Sequence, residues 1–305
     1  MIKLNVMCVL TTNCNLNCSH CYFNTGARKK CINELNFNDF VSFLKRNKEH
    51  ISKVTLTGGE PLLYSRFKDI ICFFKKENIA FSLNTNLTLM DKEKLGLILS
   101  APVKSISVSF DAPLDYKGDL LHKGHAAAVK NLKMLLKNKK NIPIRVVSIL
   151  SRQNYLKAEE IYQSFKNLDI YDFSFQPVYV PKKYSEKYSL SSLPKKELKE
   201  LFLKLKQWAK EQNYGQFLKF LENYYLKGKI MKFQCAALKT LYIEPDGKVY
   251  SCLNSSIVLG DFNSLKIADL INSRAFRKEK TKALNLSCFT DRCFCAIAPA
   301  LKAKQ

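Results

Sequence analysis

LNVMCVLTTNCNLNCSHCYF (residues 4–23) carries an apolar run straight into three cysteines. Residues 4–10 have the make-up of a buried strand. The turn-rich segment that follows places Cys14, Cys18 and Cys21 within eight positions, with His20 between the last two. Clustered thiolates favour zinc, copper or iron–sulfur clusters. A structural zinc site wants four tetrahedral ligands, commonly as two pairs separated in sequence. Here the spacing is C-x3-C-x2-C with no nearby fourth cysteine, and His20 sits directly beside Cys21, poorly placed to reach the same ion. Three thiolates holding a cluster with one open iron fit the spacing better.

Outward from this stretch, short apolar runs alternate with helical patterns. KVTLT (53–57), FSLNTN (81–86), SISVSFD (105–111), IPIRVVSIL (142–150) and YDFSFQP (171–177) read as strands. Between them, residues 38–49, 65–78, 91–100, 125–140 and 155–167 show helical spacing. Ser65 and Asp91 stand where capping residues belong. Repeated β–α units with continuous apolar strands predict a parallel sheet covered by helices. Six units are too few to close an eightfold barrel, so the expected fold is α/β, a partial, open (β/α)6 barrel with a small C-terminal cysteine-rich α+β extension. The barrel is expected over 1–180, a polar linker and helical region over 181–230, and the extension over 231–305.

In such folds chemistry gathers at the carboxyl ends of the strands. Those ends carry the cysteine loop, Gly58-Gly59-Glu60, Asn84-Thr85-Asn86, Ser109 with Asp111, Ser148 with Ser151, and Gln176. One rim of the barrel is therefore expected to be lined with hydrogen-bonding groups.

CNLNCSHCY, with Tyr22 after the third cysteine, resembles the signature of the radical SAM superfamily. GGEP (58–61) is similar to the segment that in this family meets the methionyl amine of S-adenosylmethionine (SAM). LNTN (83–86) and SVSFDAP (107–113) fall where family members contact the ribose and the methionyl carboxylate. The resemblance implies that Cys14, Cys18 and Cys21 ligate a 4Fe–4S cluster whose fourth iron SAM chelates. Reductive cleavage would then give a 5′-deoxyadenosyl radical that abstracts hydrogen from substrate. It implies SAM contacts from Tyr22, Gly58, Gly59, Glu60, Asn84, Asn86, Ser109 and Lys123, and an electron donor such as flavodoxin or ferredoxin. Many peptide-modifying relatives carry an Arg-Gly pair after strand four; HKGH (122–125) puts Lys123 before Gly124 instead. Asp111 is the preferred general base, and Cys31 a candidate hydrogen-atom donor.

The tail has its own cysteines. Cys235 and Cys252 flank LYIEPDGKVYSC (241–252), a hairpin pattern turned at Pro245-Asp246-Gly247. This C-x11-G-x4-C arrangement resembles the opening of SPASM and twitch extensions, which implies an auxiliary cluster. Five candidates, Cys235, Cys252, Cys288, Cys293 and Cys295, suffice for one auxiliary 4Fe–4S cluster, not two.

Composition limits the remaining classes. The chain has 305 residues, is 47% hydrophobic with 20 Phe and 14 Tyr, and is long enough for a real core. No segment is long and apolar enough to span a membrane, so a cytoplasmic protein is expected. Eleven cysteines there argue for metal or redox chemistry over disulfides; Cys8 and Cys72, in apolar runs, are expected in the core. The +24 charge invites a nucleic-acid or acidic partner. Only eight of the 50 basic residues are Arg, however, and an AT-rich coding bias explains a diffuse lysine excess. No appended nucleic-acid module is visible. Modification of a ribosomally made peptide is the favoured expectation, ahead of a small-molecule dehydrogenase or rearrangement enzyme acting on a substrate such as an aminosugar. A zinc-binding, nucleic-acid-associated regulator is the non-enzyme alternative. Because the sequence begins at strand one, a peptide would be expected to bind the barrel mouth, the tail or a helper protein.

Overall fold

The computed structural model describes residues 2–25, 34–117, 124–209, 215–233 and 235–287. Lys123, Cys31, Cys288, Cys293 and Cys295 lie outside the described residues.

Six strands alternate with five helices: β1 (Leu4–Thr11), α1 (Phe37–Arg46), β2 (Ile51–Gly58), α2 (Phe67–Glu77), β3 (Phe81–Thr85), α3 (Lys92–Leu99), β4 (Val103–Ser109), α4 (His125–Asn138), β5 (Ile144–Leu150), α5 (Ala158–Phe165) and β6 (Asp172–Pro177). A short helix, α6 (Ser185–Tyr188), leads to α7 (Lys195–Ala209) and α8 (Gly215–Lys227). The tail adds β7 (Thr240–Ile243), β8 (Lys248–Tyr250), β9 (Gly260–Asp261), α9 (Ile267–Asn272) and α10 (Arg274–Asn285). The strands form one open sheet in the order β6-β5-β4-β3-β2-β1-β7-β8-β9. β1 to β6 are parallel throughout, which is the expected partial barrel.

The tail is joined to the barrel through this sheet. β7 pairs parallel with β1, Asn5 to Cys8 against Thr240 to Ile243, and the expected hairpin turns back through β8. On the helix side, the Arg46 guanidinium donates to the carbonyls of Phe262 (2.7 Å) and Asn263 (3.0 Å). Asn47 accepts from the Ile267 N–H at 2.7 Å. The Phe262 ring meets Phe40 and Phe43 edge-on.

One helix face of the sheet is apolar: Leu4, Val6, Cys8, Val54, Leu56, Phe81, Leu83, Ile106, Val108, Ile144 and Val146 are buried against the helices. The expectation of strands apolar on both faces fails on the other side. There, in register across β2, β3 and β4, stand Thr55, Ser82 and Ser105, and one step on Asn84 and Ser107. The Ser105 hydroxyl bonds that of Ser82 at 3.0 Å. An open half-barrel leaves this concave face without a second helix layer, so small hydroxyl side chains are tolerated there.

Other local expectations are corrected. Ser65 does not cap α2; Arg66 occupies that place, and the Ser65 hydroxyl bonds Glu34. Cys72 is exposed, because Phe67, Ile70, Ile71 and Phe74 take the inward face of α2. The linker after β6 is packed: Val178, Val180, Tyr188, Leu190 and Leu193 are buried. In the tail, α9 and α10 are separated at Ser273, whose side chain caps α10 through the Phe276 N–H.

Candidate functional site

The cysteine loop leaves β1 at Thr11 and is held by the end of β2. The Gly59 N–H donates to Thr11 O and the Glu60 N–H to Asn13 O, each at 2.8 Å. A Cβ on Gly58 would stand 2.4 Å from Thr11 O, and one on Gly59 2.3 Å from Asn13 O. Both neighbours are backbone, so neither can yield. The glycine pair is thus required by the loop that carries the cysteines, whatever a ligand demands. Gly59→Ala is expected to destabilise the protein by about 1–3 kcal/mol and to lower iron retention, read by chemical denaturation and iron analysis.

Glu60 is fully buried. Its carboxylate accepts from Thr85 Oγ1 (2.7 Å), the Asn86 N–H (2.7 Å) and the Leu62 N–H (3.1 Å). Burial outweighs these three donors and lifts its pKa to about 7. Through it the end of β2 fixes the end of β3. The Asn86 amide then donates to Asn15 Oδ1 at 3.1 Å and reaches Cys14 Sγ at 3.7 Å. The Leu16 N–H lies 3.4 Å from the same sulfur.

Cys14, Cys18 and Cys21 are reduced and partly or fully open to solvent. Burial raises the Cys14 thiol pKa; the Leu16 N–H opposes that rise, and the charges of Glu60, Cys18 and Cys21 add to it. A Cys14 sulfur whose ionised form is disfavoured by burial and by neighbouring negative groups suits a positively charged metal core. Among the described residues no three His, Cys, Asp or Glu side chains are arranged to hold a single ion. A cubane makes a different demand, one thiolate on each of several irons, and the donor set and its N–H partners fit that demand.

His20 pairs with Asp111. Its Nε2 is 3.4 Å from Asp111 Oδ2, in a pair only 8% and 1% exposed. Asp111 Oδ1 accepts from the Ile149 N–H at 2.6 Å, and the Asp111 carbonyl accepts from Asn154 at 3.2 Å. Asp111 therefore ties the cysteine loop to the ends of β4 and β5. No signal in the sequence marks this pairing, since the two residues are 91 positions apart.

The rim divides in two. Thr85, Asp111, Ser148 and Ser151 are buried, whereas Asn84, Asn86, Ser109 and Gln176 keep partial exposure on the concave side. Tyr22 is half-buried, its ring 4.3 Å from that of Phe23, against Val9 and Tyr242.

In the tail, Cys235 is buried with Ala237 and Ala283, and Phe233, Leu238, Cys252 and Leu286 pack on them. The Asn254 N–H points to Cys252 Sγ at 3.3 Å. Glu279, buried, accepts from the hydroxyls of Ser251 (3.0 Å) and Ser255 (2.7 Å) on either side of Cys252. Burial pushes Lys280 down to about 8, while the charges of Cys235, Cys252 and Glu279 pull it back up. Two thiols in an apolar setting, one accepting an N–H, again fit an iron–sulfur group. α10 ends beside them, with Leu286 as its cap.

Residues 8–163 match the radical SAM superfamily, and residues 235–294 match an iron-sulfur cluster-binding domain, SPASM. The sporulation killing factor maturation protein SkfB of Bacillus subtilis (strain 168) is 23% identical over 290 residues, spanning 92% of this chain and 67% of that one. Among solved structures, native anSMEcpe with bound AdoMet and Kp18Cys peptide superposes with a TM-score of 0.70 at 20% identity, covering 96% of this chain and 88% of that one. Streptococcus suis SuiB bound to its precursor peptide SuiA gives 0.68 at 16% identity, with 92% and 67% covered. These two likenesses speak for the fold.

Proposed function

The chain belongs to the radical SAM superfamily, and from that premise we propose that it matures a ribosomally made peptide, taking a hydrogen atom from one residue to form a crosslink, a thioether or an epimer. It is an enzyme of that superfamily, using a 4Fe–4S cluster and SAM, with a second iron–sulfur domain in the tail. The observation that carries the peptide reading is the likeness, over 92% of this chain and 67% of the relative, to a sporulation killing factor maturation protein. The half-open lumen, bordered by Asn84, Asn86, Ser109 and Gln176, is compatible with an extended substrate.

Cys14, Cys18 and Cys21 would hold the N-terminal cluster, and Cys235 and Cys252 would supply part of the tail's ligand set, completed from Cys288, Cys293 and Cys295. A cluster held at the N-terminal site would supply the one-electron reduction that cleaves SAM to methionine and a hydrogen-abstracting 5′-deoxyadenosyl radical. The chain's residues arrange this. The Leu16 N–H and the Asn86 amide face the Cys14 sulfur and withdraw charge from it. Glu60 fixes Asn86 through its backbone N–H. Tyr22, Gly58, Gly59, Asn84, Ser109 and Lys123 are proposed to surround SAM, and the 1–180, 181–230 and 231–305 division is retained as functional, the tail being seated on β1.

Asp111 is assigned to holding the loop through His20, because both of its oxygens are engaged. Asp111→Asn is expected to lower turnover roughly tenfold, about 1.4 kcal/mol, together with iron retention at the N-terminal cluster. Complete loss of product with all iron retained would return Asp111 to proton abstraction.

Incubating the reconstituted enzyme with reductant, SAM and short peptides encoded beside its gene tests the function. The reading predicts a peptide that loses two hydrogens, or takes up deuterium from heavy water. Unchanged peptides, with oxidation of an aminosugar or similar small molecule instead, would overturn it.

A further inference from the structure

We propose that Lys280 is the charge partner of the tail iron–sulfur site and makes its cluster easier to reduce. The inference rests on the reading that Cys235 and Cys252 are cluster ligands. On α10, positions 276, 279, 280 and 283 share one helical face, and Phe276, Glu279 and Ala283 on that face are buried. The Lys280 ammonium donates to the Ala237 carbonyl and stands 4.4 Å from the centre of the Phe276 ring. Ala237 lies two residues beyond Cys235 and packs in the same apolar cluster as Cys235, Cys252 and Ala283. A four-carbon stem ordinarily lets a lysine carry its charge out to water. Here the charge is turned inward, onto the segment that begins with Cys235.

The neighbouring carboxylate has other work. Glu279 accepts from Ser251, Ser255 and Lys282, and so holds the loop around Cys252. With Glu279 so engaged, the other negative groups that act on Lys280 among the described residues are the sulfurs of Cys235 and Cys252 once they ligate a metal. A thiolate-ligated cluster is anionic, and its reduction adds one more negative charge in a setting with little solvent. Net charge and donors at the sulfurs set the potential of such clusters, and a fixed ammonium favours the reduced form. Lys280 is thus a positioning and tuning residue, acting on the cluster through charge.

The test is an anaerobic redox titration of the full iron-loaded protein, following each cluster by electron paramagnetic resonance. Added SAM perturbs only the N-terminal signal and so identifies it. In Lys280→Met the tail cluster is expected to be about tenfold harder to reduce, a midpoint about 59 mV lower. Lys280→Arg keeps the wild-type midpoint, and the N-terminal cluster moves in neither variant. Equal midpoints in all three proteins, or a shift in Lys280→Arg as large as that in Lys280→Met, would overturn the proposal. Loss of tail iron in Lys280→Met that Lys280→Arg repairs would support it, and loss in both would assign Lys280 to packing. A wild-type tail that takes up no iron defeats the ligand assignment and the proposal together. A loaded tail with an unmoved potential defeats the proposal alone.

Discussion

Cys14→Ser, Cys18→Ser and Cys21→Ser are each expected to lower 5′-deoxyadenosine formation by roughly 10³-fold or more, and to remove about four irons of a total near eight. Each thiolate would serve a different iron, so no neighbour would substitute for it, and a serine hydroxyl is a hard, weak ligand for such a metal core. His20 offers no replacement, because its ring is paired with Asp111. The effect is specific to these positions. Cys72→Ser, on the exposed face of α2, should leave both iron and SAM cleavage unchanged. Iron analysis and chromatography of the nucleoside products check both halves of the expectation.

The second large effect falls on Glu60. Glu60→Ala leaves Thr85 Oγ1 and the Leu62 and Asn86 N–H groups without their acceptor. At about 1–3 kcal/mol for each buried donor left unsatisfied, a loss of roughly 3–9 kcal/mol is expected, measured by urea unfolding. The same residue gives a pH signature. Its folded pKa, about 7, lies above the unfolded value, so between these two pKa values the folded state binds the extra proton. Its contribution to stability is full below the unfolded pKa, falls as pH rises through about 7, and amounts to about 3 kcal/mol over the window. Glu60→Gln should flatten that slope; an unchanged slope would place the titration elsewhere.

The fold was largely legible because its signals are local. Each strand of the barrel carries apolar residues within a short stretch, and the Asp91 cap and the Pro245-Asp246-Gly247 turn are read from neighbouring residues. What sequence periodicity missed depends on which way a face points. β4 and β5 alternate rather than running apolar throughout, since the concave side is an open lumen, and Cys72 sits on the outer side of a helix whose inner side is full. The cysteine motif was legible as chemistry. The frame around it was not: the His20–Asp111 pair, the Glu60–Asn86 link and the Glu279–Ser251–Ser255 clamp join residues from 24 to 91 positions apart. Such contacts exist only once the strands are side by side.

Homolysis of SAM at Cys14, Cys18 and Cys21 is the claim on which the rest stands. Iron-loaded, oxygen-free protein should be mixed with SAM and a low-potential reductant, and its nucleoside products quantified. The account predicts 5′-deoxyadenosine and methionine in equal amounts, formed only when the reductant is present. Fully iron-loaded protein that leaves SAM intact under those conditions, with or without candidate peptide, would contradict it.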